Sequence, residues 1–350
     1  MNRNEIISFS NGKLSLIDQR FLPHSKSTFV CGNIEDCHYA IKAMVTRGAP
    51  LIGFTAIYSL VVFAYNQESY DFEKFVQAAN YLNTARPTAV NLAFELDESL
   101  KYLSQLNNPS ITEVRDKLSQ FGLNKMDQLE KDNTFCAQQI EKDLKAHVKG
   151  REKYNILTHC NTGRLACGAL GTALGSIEYL AKNNLINNVF VSETRPYLQG
   201  SRLTAFELAE NNIPHKIIVE GSVNYLLRSR QIDAIFVGAD RITLNGDTAN
   251  KVGTSNLGLM SSYYGVPLYV VAPVSSFDNK MYSGDEIEIE LRPKEEISQI
   301  KGVQISPYES ETFNPSFDIT DNKFIHAIVN EKGLFHQPFY PKLNKILNNV

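Results

Sequence analysis

The chain has 350 residues, 43% of them hydrophobic, and a formal net charge of -3 at pH 7. A chain of this length and composition can bury a large core and is expected to form about two domains. The small net charge and the lack of lysine- or arginine-rich blocks argue against nucleic-acid binding, because phosphate recognition needs clustered cations. The opening "MNRNEIISFSNGKLSLIDQR" has no continuous apolar stretch, so we expect no secretory signal and a cytoplasmic location.

Metal sites and membrane spans are not predicted. The most apolar run, "APLIGFTAIYSLVVFAY", falls short of the ~18 residues of a membrane span and contains polar and helix-breaking residues, so we expect a buried helix. The 5 cysteines form no CxxC pair, and the 7 histidines form no HExxH motif or zinc-spaced cluster. We therefore expect reduced thiols in a cytosol and no structural metal.

The N-terminal part is predicted to be mainly helical after a short strand-like start. Apolar residues from Ile34 to Val45 recur at helical spacing, and Asn33 suits the N-cap of that helix. A second helix is predicted at 93–103, and a third, more polar one in "DQLEKDNTFCAQQIEKDLKAHV". The pattern changes after this helix, so we predict two domains, at 1–148 and 149–350.

The C-terminal part is predicted to be a Rossmann-like α/β domain. Short β-rich runs occur at "YNILT", "NVFVS", "KIIV", "DAIFVGA" and "PLYVVA", separated by enough chain for a helix or a long loop. Runs that are apolar on both faces indicate a parallel sheet covered by helices. Ligands of such sheets bind beyond the carboxyl ends of the strands, so the residues after each run are the candidates for chemistry.

A cysteine directly follows the first of these runs. Cys160 lies between His159 and Asn161, and we expect it at the start of a helix, where the positive end of the macrodipole lowers the pKa of a thiol. The alternative is a small buried hydrophobe, as most free cysteines are. Cys167, farther along the predicted helix, is interpreted as a packing residue.

Polar residues also follow the other runs. Asp240 comes after "DAIFVGA", where it either takes part in chemistry or caps the following turn. Lys251, next to Asn250, is placed to reach a phosphate as a point charge. Gln199 follows "NVFV" in a loop, and its role does not follow from spacing. The glycines after Cys160 fit neither GxGxxG nor a P-loop, which argues against a nicotinamide or nucleotide cofactor.

Two arginines precede prolines that suit the first position of a helix. Arg47, Gly48 and Ala49 stand in "TRGAP", and Arg86 stands in "ARP". An arginine beside free backbone N–H groups at a helix start makes a phosphate site, although a single exposed arginine there is common. The repeated pattern, with the lysine of the other predicted domain, favours a small phosphorylated ligand.

Several motifs in one order, from roughly residue 6 to 340, resemble the methylthioribose-1-phosphate isomerase family of methionine salvage. They are "LIDQRFLP", "MVTRGAPLIG", "ARPTAVNL", "ILTHCNTG", "GTALG", "ETRPYLQGSRLTAFEL", "VGADRITLNGDTANKVGT" and "NPSFDIT". The wider superfamily includes ribose-1,5-bisphosphate isomerases and the regulatory subunits of translation initiation factor 2B.

The resemblance implies a sugar-phosphate aldose–ketose isomerase whose catalytic pair is the cysteine of "HCN", Cys160, and the aspartate of "GAD", Asp240. It also implies a small N-terminal domain with a short β-sheet before a Rossmann-like domain, a homodimer, a small phosphorylated pentose as substrate, and no metal or organic cofactor. Family substrate contacts fall on Arg47, Gly48, Ala49, Arg86, Gln199, Asn250 and Lys251.

Alternatives remain within the superfamily. Thr162 and Arg164 depart from the usual family residues, so the pocket floor after Cys160 is expected to differ, and a 5-deoxyribose 1-phosphate or ribose 1,5-bisphosphate isomerase stays open. A regulatory subunit is disfavoured because both Cys160 and Asp240 are kept. In one route, Asp240, kept protonated by burial, donates to the departing ring oxygen while a Cys160 thiolate removes the C2 proton. The rival is a hydride shift from C2 to C1.

Overall fold

The structure is a computed structural model that describes residues 2–86 and 89–347. It divides into two compact units: Met1–Lys131 with Gly163–Gly171, and Asp132–Thr162 with Thr172–Val350. The chain passes from the first unit to the second within one long helix. The predicted division at 148/149 therefore lies inside the second unit, and the segment that follows "HCNT" belongs to the first.

The first unit is mainly helical and carries one small antiparallel sheet, of order β1-β2-β3. Its strands are β1 (Ile7–Ser10), β2 (Lys13–Ile17) and β3 (Thr28–Cys31). Its helices are α1 (Arg3–Ile6), α2 (Ile34–Lys42), α3 (Ala49–Tyr65), α4 (Phe72–Asn83), α5 (Val90–Ser104), the first part of α6 (Ile111–His147), and α7 (Arg164–Cys167).

The helices of this unit follow from their sequences. Asn33 caps α2, since its side-chain oxygen accepts the N–H of Asp36, as predicted. Helix α3 is apolar on all sides and almost entirely buried, which confirms the prediction of a buried helix for this run. Within residues 2–86 and 89–347, no helix is long and apolar enough to span a membrane.

The second unit contains the remaining strands and helices. The strands are β4 (Tyr154–Thr158), β5 (Ile186–Ser192), β6 (His215–Ile218), β7 (Ala234–Val237), β8 (Arg241–Thr243), β9 (Thr248–Lys251), β10 (Leu268–Val271), β11 (Phe277–Asp278), β12 (Gln299–Ile300), β13 (Val303–Gln304), β14 (Phe317–Thr320), β15 (Ala327–Asn330) and β16 (Gly333–His336). The helices are α8 (Ala173–Lys182), α9 (Ala205–Glu210), α10 (Val223–Arg228), α11 (Thr254–Tyr264), α12 (Glu295–Ser298) and α13 (Tyr340–Leu347).

The main sheet of the second unit has the order β16-β15-β10-β7-β4-β5-β6. All neighbours in it are parallel except β15 and β16. The five predicted runs form five of its seven strands, and the Rossmann-like fold class is confirmed. Successive strand residues face opposite sides: Ile156 belongs to the core cluster on one face and Leu157 to the cluster on the other.

A second, four-stranded sheet has the order β11-β8-β9-β14 and was not predicted. Its first strand, β8, comes soon after β7 in the chain. The chain then turns back at Gly246 into β9, so that β8 and β9 form a hairpin. This hairpin brings Asn250 and Lys251 to the same side of the unit as the end of β7. The long interval between the β7 and β10 runs, for which a helix or a long loop was expected, therefore contains two strands of this sheet and helix α11.

In the first unit, α3 begins at a close approach between two backbones. Gly48 is the N-cap residue, with φ 92°, and a proline follows in the first turn, as predicted. A Cβ at Gly48 would lie 2.5 Å from both the Cα and the carbonyl oxygen of Ala166 in α7. Only glycine fits both the left-handed backbone and this contact.

We expect Gly48→Ala to lower the free energy of unfolding by roughly 2 kcal/mol or more, since strain in φ and backbone overlap add. Gly150→Ala is the control, because Gly150 has φ 77° with open space around the missing Cβ. Its expected cost is about 1 kcal/mol, from the backbone conformation alone. Urea denaturation followed by circular dichroism measures both, and equal losses would contradict the close approach.

Candidate active site

Three neighbouring strands of the second unit end side by side. Thr158 at the end of β4 is level with Val191 of β5 and with Phe236 of β7. The residues that follow these strands therefore emerge at one carboxyl edge of the sheet, and Cys160 and Asp240 are among them. Open parallel sheets bind their ligands at this carboxyl edge.

Two threonine hydroxyls hold the backbone of Cys160. The N–H of Cys160 donates to Oγ1 of Thr194 at 2.9 Å, and its carbonyl accepts from the hydroxyl of Thr204 at 2.6 Å. Cys160 has φ 61°, the left-handed conformation that favours glycine. Its side chain is half-buried, whereas the other four cysteines are buried. The strand-end cysteine is thus held in a specific backbone geometry and remains accessible.

The expected helix start at Cys160 is wrong. Helix α7 begins only at Arg164 and ends at Cys167, and the longer α8 begins at Ala173. The left-handed residue and the glycine at 163 interrupt the chain before any helix forms. The argument that a helix macrodipole activates a thiol at this position therefore does not hold. Cys167 is buried, as a packing residue should be.

The two threonines are themselves fixed. Thr194 also has a left-handed backbone, with φ 64°. Its N–H donates to a carboxylate oxygen of Glu220 at 2.5 Å, and its hydroxyl lies 3.0 Å from the carbonyl of Ser192. Thr204 ends a π-helical turn, Gly200–Thr204, that leads into α9. Single π turns inserted before or within α-helices are frequent at functional sites.

The π turn also places Gln199. A Cβ at Gly200 would overlap the carbonyl oxygen of Ser192, so the turn requires glycine there. Gln199 is buried, and within residues 2–86 and 89–347 its side-chain oxygen has no hydrogen-bond donor. A buried amide oxygen without a donor is costly, which suits an acceptor for a ligand hydroxyl.

His159 and Asn161 anchor the cysteine segment on both sides. Nε2 of His159 lies 2.9 Å from the carbonyl of Val252, next to β9. Burial lowers the pKa of His159 to about 4, so the ring is neutral near pH 7. The amide of Asn161 donates to Thr204 Oγ1 at 3.1 Å and to Glu207 at 2.8 Å. Both residues flanking Cys160 therefore have structural partners.

Asp240 lies at the turn between β7 and β8. Its N–H donates to the carbonyl of Ala249 in β9 at 2.9 Å, and its side chain belongs to an exposed residue. Burial of this carboxyl is therefore not seen in this structure, and its protonation during catalysis stays a prediction. Gly238, two residues earlier, leaves room for Thr162, whose Cγ2 would lie 2.6 Å from a Cβ at that position. The "GAD" segment thus packs against the segment that carries Cys160.

Asn250 and Lys251 form the end of β9. The amide of Asn250 is buried and donates to Thr254 Oγ1 at 3.0 Å. Nζ of Lys251 donates to the carbonyl of Ser316 at 3.0 Å and lies 4.5 Å from the centre of the Phe317 ring. These contacts hold the lysine against β14 in the structure, and its binding to a phosphate stays a prediction.

A carboxylate supports this end of β9. Asp318, in the "FDIT" motif, accepts the N–H groups of Gly253 and Ser255 at 2.7 and 3.0 Å. It thereby caps the start of α11, whose N-cap residue Gly253 has φ 105°. Burial raises the pKa of Asp318, against the two N–H donors, which lower it. Asp318 therefore has a structural role, because it fixes the start of α11.

The departure at Thr162 has a structural role. The hydroxyl of Thr162 accepts the N–H of Leu174 at 3.1 Å, in the first turn of α8. Its carbonyl accepts the N–H of Thr172 at 2.9 Å. Arg164 is buried and lies 3.4 Å from Glu130 of α6 within the first unit. Thr162 therefore caps a helix, and Arg164 packs within the first unit.

In the first unit, Arg47, Gly48 and Ala49 lie together at the start of α3. Nε of Arg47 donates to Oε1 of Gln19 at 3.2 Å. Gln19 is buried, and its amide donates to the carbonyl of Leu165 in α7 at 2.7 Å. Gln19, in the motif "LIDQRFLP", thus orients Arg47 and ties it to the segment that follows "HCNT".

Arg86 is half-buried in the loop before α5. Its carbonyl accepts the N–H of Ala89 at 3.0 Å, and the helix begins at Val90. The prediction that the next proline opens a helix falls on Pro87, which lies outside the described residues.

Contacts connect the segments of the second unit that carry predicted site residues. The cysteine segment contacts the π turn beside Gln199 through Thr204, the β9 end through His159, and the "GAD" segment through Thr162. Sequence reasoning missed Thr194 and Thr204. Their sole signal was their place in "ETRPYLQGSRLTAFEL", because a left-handed threonine and a π turn leave no periodic pattern.

The model of the initiation factor 2 subunit family matches residues 45–337. A relative from Caldicellulosiruptor saccharolyticus, named methylthioribose-1-phosphate isomerase, is 43% identical over 342 residues, covering 97% of this chain and 98% of the relative. The crystal structure of 5-methylthioribose 1-phosphate isomerase from Pyrococcus horikoshii superimposes with a TM-score of 0.89 at 32% identity, covering 100% of this chain and 99% of that one.

A structure described as translation initiation factor eIF-2B, subunit delta, from A. fulgidus has a TM-score of 0.87 at 32% identity, covering 97% of this chain and 98% of that one. The overall fold therefore does not distinguish proteins named as isomerases from proteins named as initiation-factor subunits. The curated relatives at about 40% identity over nearly the whole chain carry the isomerase name. The chain belongs to the initiation factor 2 subunit family and, within it, to the methylthioribose-1-phosphate isomerases.

Proposed function

We propose that this protein is an aldose–ketose isomerase that converts 5-methylthioribose 1-phosphate to 5-methylthioribulose 1-phosphate in methionine salvage. The observation that carries the proposal is the strand edge of the second unit. There an accessible cysteine is held by two threonine hydroxyls beside the "GAD" loop, in a chain that resembles isomerases over its whole length. The reaction proceeds in the cytoplasm without metal or organic cofactor, and the protein acts as a homodimer.

The chemistry must avoid simple ring opening, because phosphate esterifies the anomeric oxygen of the substrate. In the proposed reaction the carboxyl of Asp240 donates a proton to the ring oxygen as its bond to C1 breaks. Cys160 acts at C2. As a thiolate it removes the C2 proton, which gives an enol phosphate that gains a proton at C1 and loses its hydroxyl proton to form the ketone.

A second route keeps the same residues. The C2 hydrogen moves to C1 as a hydride while the C2 hydroxyl loses its proton, and Cys160 shapes the site without acting as base. The routes differ in the fate of a deuterium placed at C2, which passes to water in the first and to C1 in the second. Both need Asp240 protonated, and because it is exposed in this structure, the proposal assigns the exclusion of water to substrate binding.

Substrate binding is assigned to individual residues through the family motifs. Arg47 and Arg86 are proposed to bind the phosphate, together with Lys251, because charge-assisted contacts are strong. Gln199 and Asn250 are proposed to bind sugar hydroxyls, and the free acceptor oxygen of Gln199 supports its assignment. Gly48 and Ala49 contribute backbone at the start of α3.

Two alternatives from the sequence are weighed against this proposal. The departure at Thr162 left 5-deoxyribose 1-phosphate and ribose 1,5-bisphosphate open as substrates, and its capping of α8 places no constraint on the C5 substituent. The likeness to the eIF-2B structure supports a regulatory subunit. That role needs no thiol or carboxylate at the strand edge, so the presence of both Cys160 and Asp240 favours the enzyme.

The test measures ketose formation by the purified protein from three substrates: 5-methylthioribose 1-phosphate, 5-deoxyribose 1-phosphate and ribose 1,5-bisphosphate. We expect ketose formation from 5-methylthioribose 1-phosphate at the highest kcat/KM. Asp240→Asn should lower kcat by about 10²- to 10⁴-fold, because the ring oxygen loses its proton donor. Asp285→Asn, an exposed aspartate elsewhere in the second unit, is the control. No ketose from any substrate would contradict an enzyme.

The hydroxyls of Thr194 and Thr204, which hold the backbone of Cys160 and are called the threonine clamp below, give a second prediction. Thr194→Val keeps the volume of the side chain but removes the oxygen that accepts the N–H of Cys160, so the thiol should shift. We expect kcat to fall about tenfold to a hundredfold with a smaller change in KM. Steady-state kinetics measure both constants.

Two controls accompany this variant. Thr194→Ser retains the hydroxyl and should keep most of the activity. Thr55→Val removes another buried hydroxyl, bonded to the carbonyl of Leu51 in α3, and should leave kcat unchanged. A wild-type kcat in Thr194→Val would show that the clamp does not position the cysteine.

A further inference from the structure

Three histidines and an aspartate meet at the edge of the main sheet opposite the candidate active site. His326 directly precedes β15, and His336 ends β16, where it pairs with Ala327. Strand β15 is parallel to β10, β7 and β4, so this is the amino edge, whereas Cys160 follows the carboxyl end of β4. Asp143 and His147 come from the last two turns of α6, one helical turn apart.

The carboxylate of Asp143 lies at the centre of the cluster. Nε2 of His326 lies 3.0 Å from its Oδ2, and Nε2 of His336 lies 2.9 Å from its Oδ1. Nδ1 of His147 lies 3.4 Å from Oδ2, and the hydroxyl of Tyr269 donates to the same oxygen at 2.8 Å. Polar groups of the helix and of three strands or strand ends thus converge on one point.

The spacing of the rings matches three imidazoles around one ion. The ring centres are 4.7, 5.5 and 4.8 Å apart, and the planes are inclined to one another rather than stacked. Tetrahedral zinc, with zinc–nitrogen bonds of about 2.0–2.1 Å, sets ring centres roughly 5 Å apart. One ligand atom from each of the four residues lies within 4.8 Å of the others, so the four groups are near enough to share one ion.

Hydrogen-bond accounting at His336 points the same way. Its Nδ1 lies 3.0 Å from the carbonyl oxygen of His326, and its Nε2 faces the carboxylate, so acceptors stand at both nitrogens. A neutral imidazole has one N–H and can satisfy only one of them, whereas an imidazolium or a metal-bound imidazole satisfies both positions. With a cation at Nε2, the proton on Nδ1 donates to the carbonyl, which is the usual support of a metal-binding histidine.

We propose that Asp143, His147, His326 and His336 bind one divalent transition-metal ion, with Zn²⁺ as the best match. Imidazole ligands select zinc, copper and nickel over magnesium and calcium, which prefer oxygen. The ion has an entry path, since the three histidines line a cavity of about 510 Å³. Asp143 is the least exposed member and His147 the most, with side-chain exposures of 11% and 47%.

The site is structural in this proposal. It joins the end of α6 to the β15–β16 edge of the sheet and lies at the other edge from Cys160. This departs from the expectation of no structural metal, which rested on motif spacing. Spacing could not reveal the site, because 183 residues separate Asp143 from His326.

The test uses untagged protein that has been stripped with a chelator and titrated with Zn²⁺ by calorimetry. We expect one Zn²⁺ per chain at micromolar affinity or better, and at least tenfold weaker binding in the double variant His326→Gln/His336→Gln. His24→Gln, an exposed histidine of the first unit, should bind as wild type does. Isomerase kcat and KM should not change in any of these variants. Zn²⁺ should raise the melting temperature of the wild type and of the control but not that of the double variant.

Cobalt spectroscopy checks the geometry independently of folding losses in the double variant. Co²⁺ bound to the wild type should show the intense visible absorption of a tetrahedral site, which Zn²⁺ removes and which the single variant His147→Gln weakens. No saturable uptake by the wild type would show that the histidines share only protons with Asp143. Equal Zn²⁺ binding in wild type and double variant, or a weak octahedral spectrum, would also overturn the proposal.

Discussion

The candidate active site depends on two hydrogen bonds to the backbone of Cys160: Thr194 accepts its N–H, and Thr204 donates to its carbonyl. A left-handed conformation costs a residue with a side chain about 1–2 kcal/mol, and two hydrogen bonds offset that cost. Thr194 is left-handed as well, and a carboxylate oxygen of Glu220 binds its N–H. A connected set of hydrogen bonds therefore holds the backbone of this segment.

The same contacts explain why so much of the "ETRPYLQGSRLTAFEL" motif is needed. Gly200 permits the π turn, the π turn brings Thr204 to the cysteine, and Gln199 is buried as a consequence. After β9, Asp318 has a similar structural role: it accepts backbone N–H groups at the start of α11, next to Asn250 and Lys251. In this chain, these parts of the motifs thus form a scaffold for the few residues that are proposed to contact the substrate.

The sequence predicted the elements whose signals are local. The run "YNILT" is β4, Asn33 caps α2, and the apolar run after Gly48 is the buried helix α3. Strands β15 and β16 were not predicted, although "AIV" is apolar, because a four-residue run near other short segments lacks a distinct period. The helix expected at Cys160 failed for another reason: a left-handed residue has no signature outside glycine and asparagine.

For the candidate site, the sequence predicted where two residues lie in the fold but not how exposed they are. Cys160 and Asp240 follow strand ends, so their edge could be inferred from the parallel order of the strands. The exposure of Asp240 could not, since burial depends on what packs over a loop. The histidine cluster shows the same limit, because its members converge only after β15 and β16 pair beside the end of α6.

Alkylation of Cys160 in the presence and absence of substrate tests the central claim most directly. Because the other four cysteines are buried, a small thiol reagent should modify Cys160 first, and peptide mass spectrometry identifies the site. If the strand edge binds the sugar phosphate, saturating 5-methylthioribose 1-phosphate should slow modification of Cys160 about tenfold or more, as expected for a fully occupied site. An unchanged rate at saturating substrate would place the reaction elsewhere in the protein.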